Sequence, residues 1–308
     1  MATILAGTKF PTTLVSEMFN AVTGHSALAR LSAARPIPFN GETVMVFSNA
    51  GEASLVAEGA PKPAGNAAVN PVVIRPQKFV YQQRVSDEFV KNAESRLNYL
   101  EAFADGFARV IGRGFDIAAM HGIDPATKAD IAALAPYNFD DLLTVGAIIT
   151  YDSTAPDNNI ESAVAAIQAA GGSVDGIAMA PAFGAAMGNL KVNGVVQFPE
   201  FRFGANPDGF AGLRSDVNGT VNYTGSAVGA PTDMAIVGDF GRAFRWGYSV
   251  NVPLEVIEYG DPDGAGHDLK QYNEVLLRAE AYIGWGILAP DSFAVIRVGN
   301  GQDDEGQT

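Results

Sequence analysis

Arg75-Pro-Gln-Lys-Phe-Val-Tyr-Gln-Gln-Arg-Val-Ser-Asp-Glu-Phe89 is the stretch on which the fold turns. With the residues just before it, it reads as one strand, Val72–Val85, with Val73, Phe79, Tyr81 and Val85 alternating onto one side. At Ser86 the texture changes. A hydroxyl able to cap is followed by Asp87 and Glu88, two acids suited to the positive end of a helix.

Upstream, Thr43–Ser48 (TVMVFS) reads as a partner strand. Between the two lie the 21 residues Ala50 to Asn70, with seven Ala, three Gly, two Pro and no aromatic residue. Such a segment has too little apolar bulk for a core of its own, and a lone two-stranded hairpin is marginal in water. It is either a surface loop or an extended arm that becomes ordered on a neighbouring subunit. Residues 1–40 also read as an arm. A short apolar-periodic segment (Leu14, Val15, Met18, Phe19, Val22) precedes Gly24, Pro36 and Pro38. A helix of that length needs a surface to lie on.

Downstream, Leu97, Leu100, Phe107, Ile111, Phe115 and Ala118 recur at three- and four-residue steps, which predicts a long helix over Arg96–His121. Gly112 and Gly114 permit close packing or a bend, and Gly122 and Pro125 end it. From Asn138 helices and strands alternate. Asn138-Phe-Asp-Asp opens a helix, Asn159–Ala170 forms another stopped by Gly171-Gly172, Gly176–Ala180 is a buried strand, and Pro181 starts a further helix. Residues 189–233 read as loops with short strands. Met234–Val237, Ala243–Ser249, Leu254–Tyr259, Glu274–Ile287 and Ala294–Val298 read as strands, with a turn-rich Gly260–Gly266 among them. The last ten residues are a polar, acidic tail, and no repeat of fixed period occurs.

The composition excludes several classes. Without cysteine there is no disulfide, thiolate metal site or cysteine nucleophile. With 34 acids against 20 bases the net charge is −14, unsuited to gripping nucleic acid by its phosphates. Residues 1–40 carry +2, so the remaining 268 carry −16. Only 18% of residues are charged, consistent with surface hidden in partners, and 47% are hydrophobic, ample for a core. No signal-peptide core or bilayer-length apolar run is present, and the expectation is a soluble chain made inside the cell.

Catalytic signatures are sparse. His25, His121 and His267 have no metal-ligand spacing to another His or acid, and each reads as a capping or surface residue. Gly112-Arg-Gly114 lacks the third glycine of a dinucleotide fingerprint and lies within a helix. Neither a Gly-x-Ser-x-Gly elbow nor a phosphate loop ending in Gly-Lys-Ser/Thr occurs. Asp140-Asp141 is accounted for by a helix dipole, and Asp303-Asp304-Glu305 by a solvated tail. Carboxylates distant in sequence could still converge.

Several phrases, in order, resemble the major capsid proteins of tailed bacteriophages, the Hong Kong 97-type fold. Arg75–Phe89 resembles the descending strand of the family's extended loop running into its Ser-Asp-Glu helix. Phe115-Asp-Ile-Ala-Ala-Met-His-Gly is similar to the end of its long spine helix. Met179-Ala-Pro, Gly194-Val-Val-Gln-Phe and Phe210-Ala-Gly-Leu resemble axial-domain elements, and Val237-Gly-Asp-Phe-Gly-Arg-Ala-Phe a Gly-Asp-Phe strand start. Glu274-Val-Leu-Leu-Arg-Ala-Glu-Ala-Tyr and Pro290-Asp-Ser-Phe-Ala-Val-Ile resemble the closing strands. The likeness covers roughly residues 37–297.

The resemblance implies an α+β subunit. Its parts would be an N-terminal arm (1–40), an extended β-hairpin loop (41–85), a peripheral domain with the spine helix (86–135 and 241–298), an axial domain (136–240) and the acidic tail (299–308). It implies a structural, non-enzymatic head protein that needs no cofactor, metal or membrane. The chain would associate with itself as pentamers and hexamers, closing into an icosahedral shell around double-stranded DNA that it does not read by sequence. Met1 leads directly into the arm, so a separate scaffolding protein, or none, is expected, together with a portal. Assembly would occur in the bacterial cytoplasm and the product is the virion head. Intersubunit contact falls to Glu58, Pro61, Lys62, Pro63 and Lys78 of the loop. Lys62 stands where some relatives form Lys–Asn crosslinks; its ordinary reading is an exposed lysine in a rigid turn. Two alternatives remain, an encapsulin-like shell around cargo enzymes and a small-molecule α/β enzyme using residues 136–240.

Overall fold

The computed structural model describes residues 24–50, 55–60, 62, 66–88, 93–143, 147–225, 232–249 and 254–299. The periodic segment Leu14–Val22, Pro61 and Pro63, and the acidic tail beyond residue 299 lie outside them.

The stretch read as a single strand is two. β1 (Glu42–Ala50) pairs antiparallel with β2 (Asn66–Ile74), and β3 (Pro76–Ser86) pairs instead with the long β13 (Glu274–Ile287). The break falls at Arg75, before Pro76, whose ring nitrogen cannot donate to a ladder. Facing also changes across it. Phe79, Tyr81 and Val85 turn toward the core as expected, but Val73 is exposed and its neighbour Ile74 is fully buried.

β13 is the axis of one sheet. β3 runs along one edge, while β11 (Phe244–Tyr248) and β12 (Leu254–Ile257) share the other. The long helix α2 (Ala93–His121) packs on this sheet, burying Phe103, Phe107, Ile111 and Phe115 at the expected helical spacing; the side chains of Leu97 and Leu100 lie outside the description. Phe115 meets Trp246 at 5.1 Å and Trp285 at 5.6 Å between ring centroids. Fully burying each such ring contributes roughly 1.5–3 kcal/mol. Gly114 lets α2 approach, since a Cβ there would lie 3.3 Å from Pro125 and 3.6 Å from the Phe79 ring.

The second sheet has six strands in the order β4 (Ile148–Thr150), β14 (Phe293–Arg297), β10 (Asp233–Gly238), β5 (Gly176–Met179), β9 (Leu213–Val217) and β8 (Gly209–Phe210). Its central strands are buried on both faces. Ile236, Phe293 and Val295 face the core that holds α2, while Ala235, Val237, Ala294 and Ile296 face α4 (Pro156–Ala169) and α5 (Pro181–Asn189). That explains why they read as unbroken apolar runs. One expectation is corrected here. Residues 241–298 do not form one peripheral set, because β14 hydrogen-bonds within the six-stranded sheet, to β10 and β4.

Part of the described arm packs into the core, while residues 33–36 and 38–40 are exposed. α1 (Ala27–Leu31) and Ile37 are almost fully buried within the same subunit. The segment after α1 adds to β11 through Arg35 N–H to Trp246 O (2.9 Å) and Ile37 N–H to Tyr248 O (3.0 Å). Gly247 makes the addition possible, since a Cβ there would sit 1.6 Å from the Arg35 carbonyl oxygen.

Candidate assembly surface and buried junction

Two constructions stand out, one exposed and one buried. The exposed one is the β1–β2 hairpin, nine paired residues from Glu42↔Ile74 to Ala50↔Asn66, hydrogen-bonded to no other strand among the described residues. Directly opposed residues share a face. Thr43, Met45 and Phe47 therefore lie beside Val73, Pro71 and Val69. This whole face is exposed, Phe47 at 68% and Met45 at 57%. The opposite face is anchored at its base, where Ile74 fits against Gly284 and Gly286 of β13. A continuous apolar stripe on a two-stranded ribbon is not stable surface in water and marks an interaction site.

The residues assigned to intersubunit contact divide. Glu58 and Lys62 are exposed in the loop beyond the hairpin, and Leu55 beside them is fully exposed. Lys78 is not in the loop. It lies on β3, paired with Glu280 of β13 at 2.7 Å and held above the Tyr282 ring. The Glu280 hydrogen bond raises its pKa.

The buried construction lies where α1, α2 and the six-stranded sheet meet. Asp116, fully buried on α2, accepts hydrogen bonds from Ser26 Oγ (2.5 Å), Ala27 N–H (2.7 Å), Leu28 N–H (3.2 Å) and Thr220 Oγ1 (3.0 Å). Burial pushes the Asp116 carboxyl up to about 6 against the pull of these donors. One turn further on, His121 binds Asp140 Oδ2 through Nδ1 (2.9 Å) and the Thr220 carbonyl through Nε2 (3.0 Å), so Thr220 joins the two groups. Arg297 bridges Asp233 Oδ1 and Asp140 Oδ1, each at 2.5 Å.

The protonation pattern follows from these contacts. Burial alone would lower the His121 imidazole, but the Asp140 hydrogen bond and the nearby carboxylate charges raise it. Burial would raise Asp140, yet His121 and Arg297 bring it below the ordinary carboxylate value. Asp233 is driven well above that value, by burial first and then by the Asp140 charge. One proton shared between the carboxylates is the consistent description.

His121, Asp140 and Asp233 place ligand-type atoms within 4.8 Å of one another. The Arg297 guanidinium already bonds both carboxylates and supplies the positive charge a cation would bring. The chemistry of this set is that of a salt-bridged junction. Two readings are corrected by it. His121 is neither a surface residue nor a simple cap, and Asp140 does more than complement a helix dipole. Asp141 is the one served by the local cap, donating its backbone N–H to Asn138 Oδ1 at 2.8 Å. Asp116 was not singled out from sequence, although a lone acid inside the apolar run Phe115–Met120 is the signal that could have found it.

Comparison with known proteins gives a consistent result. A model described as the phage capsid family matches residues 7–298. A solved structure from Mycobacterium phage Ogopogo shares 36% identity at a TM-score of 0.75, covering 89% of this chain and 92% of that one. One from Gordonia phage Cozz is 22% identical, with a TM-score of 0.67 and coverage of 90% and 86%. A third, described as the capsid of a native GTA particle computed with C5 symmetry, is 14% identical with a TM-score of 0.61, over 97% and 94% of the two chains. No curated protein sequence matches.

Proposed function

The chain belongs to the phage capsid family, and from that premise we propose how its parts divide the work of building a head. The protein is a structural major capsid protein of a phage, with the Hong Kong 97-type fold, and a component of the virion that assembles with copies of itself. The compartment-shell alternative falls away, since the match is to the phage capsid family and to phage structures.

In our reading the β1–β2 hairpin is the arm that reaches a neighbouring subunit, and its apolar face Met45, Phe47, Val69 and Val73 is the contact. The observation that carries this is the exposure of that whole face on a ribbon with no sheet neighbour among the described residues. Glu58 and Lys62, with Pro61 and Pro63 around them, extend the contact beyond the hairpin. The β1–β2 hairpin within residues 41–85 serves as the extended loop, 136–240 as the axial domain and α2 as the spine. The subunits gather as pentamers and hexamers, with a separate scaffolding protein and a portal as partners, in the host cytoplasm. The chain does no catalysis. Its net charge of −14 suits a wall that encloses double-stranded DNA without adhering to it. Size-exclusion chromatography with negative-stain microscopy of the expressed chain tests this: shells, rings or sheets are expected, and a chain that stays monomeric under every condition overturns it.

A further inference from the structure

The nine rungs of the β1–β2 hairpin span about 27 Å at 3.4 Å per residue, and no other strand supports them among the described residues. The other isolated ribbon, β6 (Lys191–Val192) with β7 (Val195–Val196), has two rungs and little leverage. In the long one, a tilt of about 20° at the root would carry Phe47 about 6 Å away, beyond the range of a side-chain contact. An arm of this length delivers its apolar face to a fixed place only if its root is fixed.

The root is built for that. On β11 and β13, Gly247 pairs directly with Gly284, and Arg245 with Gly286. Residues two apart on a strand, and residues directly opposed, share a face, so these four lie on one side of the sheet. Three glycines make a floor, and Arg245 is the one side chain standing on it. Ile74 and Ile37 fill the floor. A Cβ at Gly286 would lie 2.9 Å from Ile74 Cγ1, and one at Gly284 3.1 Å from Ile37 Cδ1 and 3.2 Å from Ile74 Cγ2. Burial along this side of the ribbon then fades outward: Ile74 is fully buried, Val72 half-buried and Asn70 exposed. Only the first rungs rest on the body.

Apolar packing resists separation but fixes direction poorly, because hydrophobic contact is non-directional. Direction comes from charge. Glu42, opposite Ile74 on the first rung, brings Oε2 to 2.9 Å from Arg245 Nη2. It is a close ion pair without hydrogen-bond alignment, and both Glu42 Oε2 and Arg245 Nε are closed off from solvent. Neither residue has another ion-pair partner among the described residues, so swinging the ribbon away would strand two enclosed charges. Beside them the two strands are held at one level. Gly41, at φ 85°, lies so near that a Cβ would meet the Ile74 carbonyl oxygen at 2.7 Å.

We propose that Glu42 and Arg245 are positioning residues for assembly, their ion pair fixing the angle at which the hairpin leaves its own subunit before any neighbour is met. This rests on the reading of the hairpin as the contact arm. It adds that the arm is pre-oriented within the free subunit, so that binding does not have to supply the ordering.

The chain has no cysteine, so Asn70→Cys on the ribbon and Glu255→Cys on β12, both exposed, take two spin labels and no others. Double electron–electron resonance measures the distance between them in unassembled subunit, and light scattering of unlabelled chain gives the concentration needed for assembly. Glu42→Arg and Arg245→Glu each set like charges together. Each should replace one narrow distance population by a broad one and raise the assembly concentration about tenfold. The double variant Glu42→Arg/Arg245→Glu restores the pair and should return assembly to within about twofold of wild type, with a narrow distance population. Where thermal melting shows a reversal to be unfolded, Glu42→Gln carries the same comparison, with a rise of about threefold. A narrow distance population in the single variants overturns the proposal. So does a broad one with unchanged assembly, or a double variant that fails to recover. A wild type that never assembles, with distances that still respond to the charges, overturns the contact-arm reading and not the pair.

Discussion

Ser26 and Asp116, 90 positions apart and both buried, are joined by a hydrogen bond of 2.5 Å from the serine hydroxyl to the carboxylate. The same hydroxyl accepts from Ala29 N–H at 3.0 Å, so Ser26 caps α1 while tying it to α2. Asp116 then takes the two other backbone donors at the start of α1. A short helix that could not stand alone is fixed by a carboxylate from α2.

Asp116→Ala should therefore be costly. It leaves four buried donors without an acceptor, and a loss of about 2–4 kcal/mol is expected in urea unfolding of the unassembled subunit. Ser26→Ala removes one cap and should cost about 1 kcal/mol. Equal effects from the two variants would contradict the arrangement.

The junction also sets a pH dependence. Asp116 is held at about 6, above its ordinary value of 3.8, so its contribution is fully present below about pH 4 and is lost as pH rises through 6. Asp233 and His121 are raised as well, so they act in the same direction. The folded subunit binds more protons than the unfolded chain above about pH 4, and its stability should fall between about pH 4 and 7. The Asp116 share is on the order of 3 kcal/mol. Asp116→Asn removes the titration and should flatten the slope, which denaturant midpoints at several pH values will show.

Gly247→Ala should prevent the arm segment from adding to β11. A Cβ 1.6 Å from the Arg35 carbonyl oxygen cannot be accommodated by side-chain motion, and a loss above about 4 kcal/mol, or failure to fold, is expected. Gly59→Ala provides the control. Nothing lies within 4 Å of it, and only its φ of 81° resists, so about 1 kcal/mol is expected. Soluble yield and thermal melting separate the two.

Met45→Ser/Phe47→Ser changes an exposed face. Subunit stability should move by no more than about 0.5 kcal/mol, while assembly followed by light scattering should require a higher concentration. A destabilised subunit with unchanged assembly would mean that the stripe serves the fold instead.

Much of the fold was legible because its signals are local. β5, β10 and β14 read as apolar runs because both faces of their sheet are covered, α2 reads from its stripe, and Pro181 marks the start of α5. The break at Arg75 was not legible. Val72–Val85 alternates well enough for one strand, and the partners that divide it lie at 42–50 and 274–284. The assembly surface was half legible. The loop's poverty in apolar bulk pointed to a neighbour, but which side chains share its outer face depends on the register with β1.

The sequence by itself determined the class of the protein: a cysteine-free acidic chain without catalytic signatures, whose ordered phrases resemble phage capsid proteins. Periodicity, caps and composition act over a few residues, and they carry that much. Only the tertiary structure decided that Ala27, Leu28, Leu31 and Ile37 are core, that β14 belongs with β10, and that Asp116, His121, Asp140, Asp233 and Arg297 share one buried junction. Those groups come from positions as far apart as 116 and 297. Burial and hydrogen bonding at a point in space depend on what the fold brings there, which no local pattern records.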